Sequence, residues 1–184
     1  MAPQANTPNT PEQGLLPPSD LKCENRIRPL NIDTPRPRMG WLLHSFVRGC
    51  KQSAYQVLVA SSRFMLDQEQ GDLWDSGRVS SNDSTWVEYA GRTLESGMTC
   101  HWKLRSWDDH DQASPWSEEA TWTMGMLDIE DWQATWIGAG WTGDWRENNA
   151  PPLPWLRRTF DLNIIHARAI AHVSSALVKV AFFC

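Results

Sequence analysis

The sequence predicts an all-β protein built around a two-sheet β-sandwich. Apolar residues alternate with period two in short runs between residues 21 and 126, and turn residues bound each run. Helical periodicity of useful length is not found there. The chain also holds 12 tryptophans, a density typical of flat rings packed between β-sheets.

Seven runs in this region predict strands, each bounded by Gly, Pro, Asp, Asn or Ser. Seven strands over about 100 residues favour an immunoglobulin-like or fibronectin type III-like β-sandwich. A further segment, residues 61–72, is expected to hold a turn of helix that stops near Gly71. The seven runs are "LKCEN", "RMGWLLHS", "SAYQVLVAS", "LWDSGRV", "STWVEY", "TCHWKLRSWD" and "EEATWTMG".

The third and sixth strands show which side chains should enter the core. In the third, Tyr55, Val57 and Val59 share one face. In the sixth, Cys100, Trp102 and Leu104 alternate with His101, Lys103 and Arg105. In each strand, one face is expected to be core and the other wet. In the sixth strand we expect Trp102 and Leu104 to pack inward and Lys103 and Arg105 to face solvent.

The ends of the chain differ in composition from this sandwich. Residues 1–20 carry five prolines and few large apolar groups, which predicts a disordered tail. Residues 127–154 are expected to form a connector rich in Gly, Asn and Pro. Residues 155–184 alternate enough for two strands, and two strands do not bury both faces of a sheet. They are therefore interpreted as the truncated start of a second, incomplete β-sandwich domain.

Bulk properties limit the location and partners of the protein. The start shows no basic segment followed by an apolar one, so we expect no signal peptide and a cytoplasmic location. A run of about 18 apolar residues is missing, so we expect no membrane contact. The net charge of −5 is spread without basic runs, which argues against nucleic acid as a partner.

The sequence offers no catalytic, metal or cofactor signature. The four cysteines are far apart without C-x-x-C spacing and are expected to be free thiols. The five histidines show no H-E-x-x-H or paired spacing. The acids Asp108, Asp109 and Asp111 fall in a predicted solvated turn, and Glu118 and Glu119 begin the seventh strand. We assign none of them to catalysis and expect no metal and no cofactor.

An ordered set of motifs resembles the N-terminal region of bacterial-type α-L-rhamnosidases of glycoside hydrolase family 78. It covers about residues 21–176 and includes "AYQVLVASS", "LWDSGRV", "YAGRTLESGMTCHWKLRSWD", "SPWSEEATWTMGML" and "DWQATWIG". The resemblance implies a fibronectin type III-like sandwich, then a second β-sandwich beginning near residue 155. It also implies that the catalytic (α/α)6 barrel, which removes terminal α-L-rhamnose, comes much later than this chain reaches.

The sequence departs from that family pattern at two places. The position after L-x-x-G-x-x, where a corner tyrosine is usual, holds Cys100, so the hydroxyl bond that ties this corner is expected to be missing. After "ARAIAHVSSAL" the chain continues as "VKVAFFC" in place of a tyrosine-containing strand and an Asn-Gly turn. This ending is interpreted as a truncated reading frame or an incomplete gene model.

We therefore expect a non-catalytic accessory fragment of an α-L-rhamnosidase, whose partners are the remaining domains of the parent enzyme. A first alternative is a carbohydrate-binding module, with rhamnose-containing glycosides stacked on Trp141 and Trp145. A second is a protein-interaction module that self-associates through unpaired strands in residues 155–180. Trp102 and Trp122, with Trp41 and Trp74, are predicted to be core, whereas Trp132 and Trp136 are predicted to pin the junction between the two β domains.

Overall fold

The computed structural model describes residues 14–135. Contacts divide the chain into two compact units, residues 1–131 and residues 132–184, and the strands and helices of the described residues all lie in the first unit. The predicted second β domain lies outside the described residues. The elements are β1 Ser19–Cys23, β2 Arg38–Leu42, β3 Gln52–Ala60, α1 Arg63–Asp67, β4 Trp74–Asp75, β5 Val87–Glu88, β6 Thr99–Asp108, β7 Ala120–Thr123 and a 3-10 turn Ile129–Asp131.

The strands form two antiparallel sheets, which confirms the predicted β-sandwich. One sheet has the order β1-β2-β5 and the other the order β4-β3-β6-β7. The longest pairing joins β3 to β6, from Gln52 opposite Asp108 to Ala60 opposite His101. Each of the seven predicted runs contains or overlaps one observed strand.

Aromatic rings fill the space between the sheets. Trp102 and Trp122 are fully buried, and Trp41 is 2% exposed, which confirms their predicted core positions. Trp74 is half-buried and packs against the same cluster. Edge-to-face contacts run from Trp74 to Tyr89 at 5.4 Å, from Tyr89 to Trp122 at 6.2 Å and from Trp122 to Trp102 at 6.2 Å. Such contacts add to the stabilisation that burial alone provides.

The short helix α1 covers part of the second face of β3. Ser62 caps its N-terminus, with the hydroxyl oxygen accepting from the Met65 N–H. Leu66 packs against Leu58 and Ala60 of β3. The predicted stop at Gly71 was wrong, because α1 ends at Asp67 and the left-handed residue that follows is Glu69. A side chain at Gly71 would instead strike the Trp74 carbonyl at 2.3 Å.

The sandwich begins earlier than the predicted disordered tail allows. Leu15 is buried and bridges to Ser45, and the Leu16 N–H donates to the His44 carbonyl at 2.8 Å. The tail prediction for 1–20 is therefore wrong from residue 14 onward, because these apolar residues pack beside the chain that follows β2. Residues 1–13 lie outside the described part of the chain.

Lys103 and Arg105 lie on the outer face of β6, as predicted, but they are half-buried rather than solvated. The Arg105 guanidinium lies 4.6 Å from the Trp116 ring and 5.0 Å from the Trp107 ring, and Arg78 covers Trp107 at 4.9 Å. Lys103 contacts Trp116 at 5.2 Å. Cation–π contacts thus cover the face that sequence alternation assigned to water.

The corner that lacks its tyrosine is tied from elsewhere. Cys100 is fully buried and carries no hydroxyl, as predicted. Tyr89, which follows β5, places its hydroxyl 2.7 Å from the Arg92 carbonyl and 3.2 Å from the Leu73 carbonyl. Burial raises the pKa of Tyr89 to about 12, so the hydroxyl remains a donor at neutral pH.

The cysteines of the described residues are free thiols, as predicted. Burial raises the pKa of both Cys23 and Cys100 to about 12, which keeps these core thiols protonated. Among the described residues, the helices are too short to cross a membrane.

Candidate functional site

The predicted sugar-stacking residues Trp141 and Trp145 lie outside the described residues, as do residues 155–180. Of the two junction tryptophans, Trp136 also lies outside, and Trp132 is 38% exposed. The candidate sites of residues 14–135 are therefore formed by other side chains.

The acidic residues at the end of β6 include one that stabilises the turn after this strand. Asp108 is 3% exposed rather than solvated as predicted. Its carboxylate oxygen accepts the N–H groups of His110 at 2.9 Å and Gln112 at 2.8 Å. Asp108, Asp109 and His110 do place three ligand-type atoms within 4.8 Å of one another, but two backbone N–H groups already donate to Oδ1 of Asp108.

The three described histidines are each beside one polar partner. His44 lies 2.7 Å from the Ser19 hydroxyl, and His110 lies 3.2 Å from an Asp109 oxygen. His101 contacts Glu119. These pairs lie at separate places on the surface, and none joins a nucleophile, a histidine base and an orienting acid as a catalytic triad does.

A hollow of about 220 Å³ opens on the outer face of the β1-β2-β5 sheet. Its floor is Gly40 in β2, which has no side chain. Lys22 of β1 lies opposite Gly40 on one side, and Thr85 and Trp86 lie on the other. The lining residues are Asp20, Lys22, Asn25, Arg38, Met39, Gly40, Trp41, Leu42, Thr85 and Trp86.

A bulge beside β5 turns Trp86 towards this hollow. Met39 pairs with Val87, and the Trp41 N–H donates to the Ser84 carbonyl at 2.9 Å. Two residues, Thr85 and Trp86, therefore stand opposite the single residue Gly40. Such a bulge re-aims side chains, and Trp86 is accordingly 60% exposed with φ at +61°.

A second irregularity lies on the other side of β2. The register of β1 against β2 shifts between Ser19 and Lys22, and Asp20 within that shift has φ at +50°. Both Asp20 and Trp86 line the hollow. Strand β2 is thus flanked by two distortions of the sheet, each of which brings a side chain to the same depression.

Paired charges form the walls of the hollow. Lys22 and Asp20 form an ion pair at 2.7 Å, and the Arg38 guanidinium pairs with Glu24 at 2.8 Å. The hydrogen bond from Arg38 lowers the pKa of the Glu24 carboxyl. The same guanidinium lies 4.3 Å from the centroid of the Trp86 ring, so Arg38 links the ion pair to the aromatic wall.

This arrangement is unsuited to glycoside hydrolysis. Hydrolysis requires two carboxyl groups about 5 to 9.5 Å apart, one of them kept protonated. Among the residues lining this hollow, the carboxyl group is that of Asp20 alone. Nearby Glu24 has a lowered pKa, the opposite of what a general acid needs.

The family model described as "Rha78A-like, N-terminal immunoglobulin domain" matches residues 18–128, the same stretch that forms the two sheets. The chain belongs to this family. Membership confirms the sequence-based resemblance and places the sandwich at the N-terminal side of Rha78A-like proteins.

Relatives and solved structures agree with this membership. A protein named alpha-L-rhamnosidase from Streptomyces avermitilis is 38% identical over 73% of this chain and 15% of its own length. One from Formosa agariphila is 34% identical over 80% of this chain and 16% of its own length. A structure of alpha-L-rhamnosidase from Dictyoglumus thermophilum is 40% identical, with a TM-score of 0.65, over 66% of this chain and 14% of that one.

A crystal structure of the Streptomyces avermitilis alpha-L-rhamnosidase complexed with L-rhamnose is 41% identical to this chain. Its TM-score is 0.64 over 68% of this chain and 12% of that one. The chain therefore spans about one sixth or less of the length of the relatives it matches.

Proposed function

We propose that this chain supplies the non-catalytic N-terminal accessory β-sandwich of an enzyme that hydrolyses terminal α-L-rhamnose from glycosides. The observation that carries the proposal is the match of residues 18–128 to an N-terminal immunoglobulin domain within relatives that are named alpha-L-rhamnosidase. The hollow on this sandwich lacks a second carboxyl group, which supports an accessory role rather than a catalytic one.

An activity assay tests the accessory role directly. The purified chain is incubated with p-nitrophenyl α-L-rhamnoside, with the Streptomyces avermitilis relative as positive control. We expect release of p-nitrophenol at the rate of a buffer blank. Turnover above that blank which disappears in Asp20→Asn would contradict the proposal and place catalysis in the hollow.

A domain exchange tests the link to the parent activity. Residues 1–131 of this chain replace the matching N-terminal domain of the Streptomyces avermitilis relative, and a deletion of that domain serves as control. We expect the chimera to stay soluble and keep rhamnosidase activity, since the sandwiches share a fold and about two fifths of their residues. A chimera no better than the deletion would contradict an accessory role in this enzyme class.

A further inference from the structure

Trp86 is held outward at a cost to the backbone. Trp86 has φ at +61°, and a large aromatic residue in the left-handed region is an outlier because its Cβ crowds the backbone there. The bulge that fixes this conformation places the Trp86 ring on the surface, where it is 60% exposed. Other indole rings of the same sandwich are buried in its core. Strain of this kind is concentrated at ligand-contacting positions in proteins.

We propose that the hollow over Gly40 binds one neutral monosaccharide unit of a glycoside. The exposed surface of the Trp86 ring receives the apolar C–H face of the sugar. Asp20, Lys22 and Asn25 contact its hydroxyl groups. The choice of rhamnose as the first sugar rests on the proposed function, whereas the site itself rests on the geometry of the hollow.

The size of the hollow fits one sugar ring. Pockets for drug-sized ligands are about 300 to 1,000 Å³, and this hollow is about 220 Å³. Gly40 makes the floor, so the ligand can approach the backbone of β2. Leu42, which is 51% exposed, also lines the hollow and offers an apolar contact for the methyl group of a 6-deoxy sugar.

The charges of the hollow favour a neutral ligand over an anion. Each cation at its edge already has a carboxylate partner, Lys22 with Asp20 and Arg38 with Glu24. These pairs cancel the field that would attract a phosphate or a carboxylate. The Arg38 guanidinium also lies 4.3 Å from the centroid of the Trp86 ring, a contact that supports the position of that ring.

Ligand-observed NMR on the full chain tests the site with methyl α-L-rhamnopyranoside, using saturation transfer to detect contact and a titration to obtain Kd. We expect saturation transfer and a millimolar Kd, as for other small, open sites. Trp86→Ala removes the stacking surface and should weaken binding about tenfold. Methyl α-D-mannopyranoside and D-glucuronate are titrated in parallel.

Two further variants show whether a loss of sugar binding comes from a change in the hollow or from misfolding of the protein. Gly40→Leu should also weaken binding about tenfold, because its side chain occupies the floor. An added Cβ there lies 3.4 Å from the Ser84 carbonyl oxygen and 3.7 Å from the Thr85 Cα, both at ordinary van der Waals distance. Phe64→Ala is the matched control, since Phe64 is 68% exposed on α1 beside the other sheet, and it should bind as the unchanged chain does.

Near-UV circular dichroism is used first to show that the variants are folded, so that a loss of binding can be assigned to the site. The absence of saturation transfer at tens of millimolar for both neutral glycosides overturns the proposal, as does unchanged binding in Trp86→Ala and Gly40→Leu. Tighter binding of D-glucuronate than of the neutral sugars also overturns it. Binding of the mannoside alone, lost in both variants, supports the site for a neutral sugar and overturns the choice of rhamnose as its ligand, while the activity and domain-exchange tests of the proposed function are unaffected.

Discussion

Trp102 and Trp122 are equally buried but differ in how their indole N–H groups are used. The Trp122 N–H donates to the Met124 sulfur at 3.3 Å. The Trp102 N–H is buried without a partner among the described residues. A buried donor with no acceptor destabilises a fold by about 1 to 3 kcal/mol, so the two rings contribute unequally although they share the core.

Replacing each ring by phenylalanine separates these contributions. Trp102→Phe and Trp122→Phe remove the same volume, but Trp102→Phe also removes the unpaired donor. We expect Trp122→Phe to lower the free energy of unfolding by about 1 kcal/mol more than Trp102→Phe, measured by urea denaturation at neutral pH. Equal losses, or a larger loss in Trp102→Phe, would show that the Trp102 N–H is paired in solution.

At the scale of elements, Tyr89 ties the end of β5 to the chain around it. Its hydroxyl lies within hydrogen-bond distance of the Arg92 and Leu73 carbonyl groups, and its ring contacts Trp74 and Trp122. The Arg92 N–H also donates to the Leu73 carbonyl at 2.9 Å. The Tyr89 side chain therefore supplies hydroxyl contacts at the corner before β6, where Cys100 stands in place of the usual tyrosine.

Tyr89→Phe should lower the free energy of unfolding by about 1 kcal/mol, because it removes the hydroxyl bond to the part-buried Arg92 carbonyl, whereas the Leu73 carbonyl keeps the Arg92 N–H as a donor. Tyr55→Phe is the matched control: Tyr55 is also buried and contacts Trp41 edge-on at 5.2 Å, but its hydroxyl makes no hydrogen bond to the described residues. It should change stability little. Equal effects of the two changes in urea denaturation would contradict the tie.

Alternation along the chain predicts the strands well where both faces of a strand have a clear character. The prediction for β6 matches its observed bounds, Thr99–Asp108, because Cys100, Trp102 and Leu104 all face a core. The predicted run at residues 84–89 shrinks to Val87–Glu88. There a bulge opposite Gly40 interrupts the pairing, and no local pattern reports the pairing of residues so far apart.

The same reason explains why sequence reasoning missed the hollow. Trp86 lies within the predicted strand "STWVEY", and tryptophan is a residue type common in strands. Its exposure depends on the register with β2. The positive φ values of Asp20 and Trp86 likewise come from tertiary pairing. The signal available in the sequence was Gly40 in the middle of a strand, since glycine there marks a bulge or a close approach.

For the whole molecule, the described sandwich accounts for about one sixth or less of its relatives' length. Large exposed apolar side chains lie on it, including Phe46 at 83% and Ile129 at 87% exposed. In a longer enzyme such residues are natural contacts for neighbouring domains. Residues 155–180 lie outside the described part, and their alternation in the sequence predicts strands whose unpaired edges would be a second source of association.

Self-association of the chain is the prediction that belongs to this scale. We expect the apparent mass of the full chain to rise with concentration in sedimentation or light scattering, because the strands predicted from the alternation in residues 155–180 would pair with those of another copy through their open edges. Deletion of residues 140–184 should leave a monomer at the same concentrations. Phe46→Ser in the full chain is the control for apolar surface on the sandwich and should leave association unchanged. A full chain that stays monomeric at high concentration would contradict the prediction. Association that persists after the deletion but falls in Phe46→Ser would also contradict it, because the apolar surface of the sandwich would then be the cause.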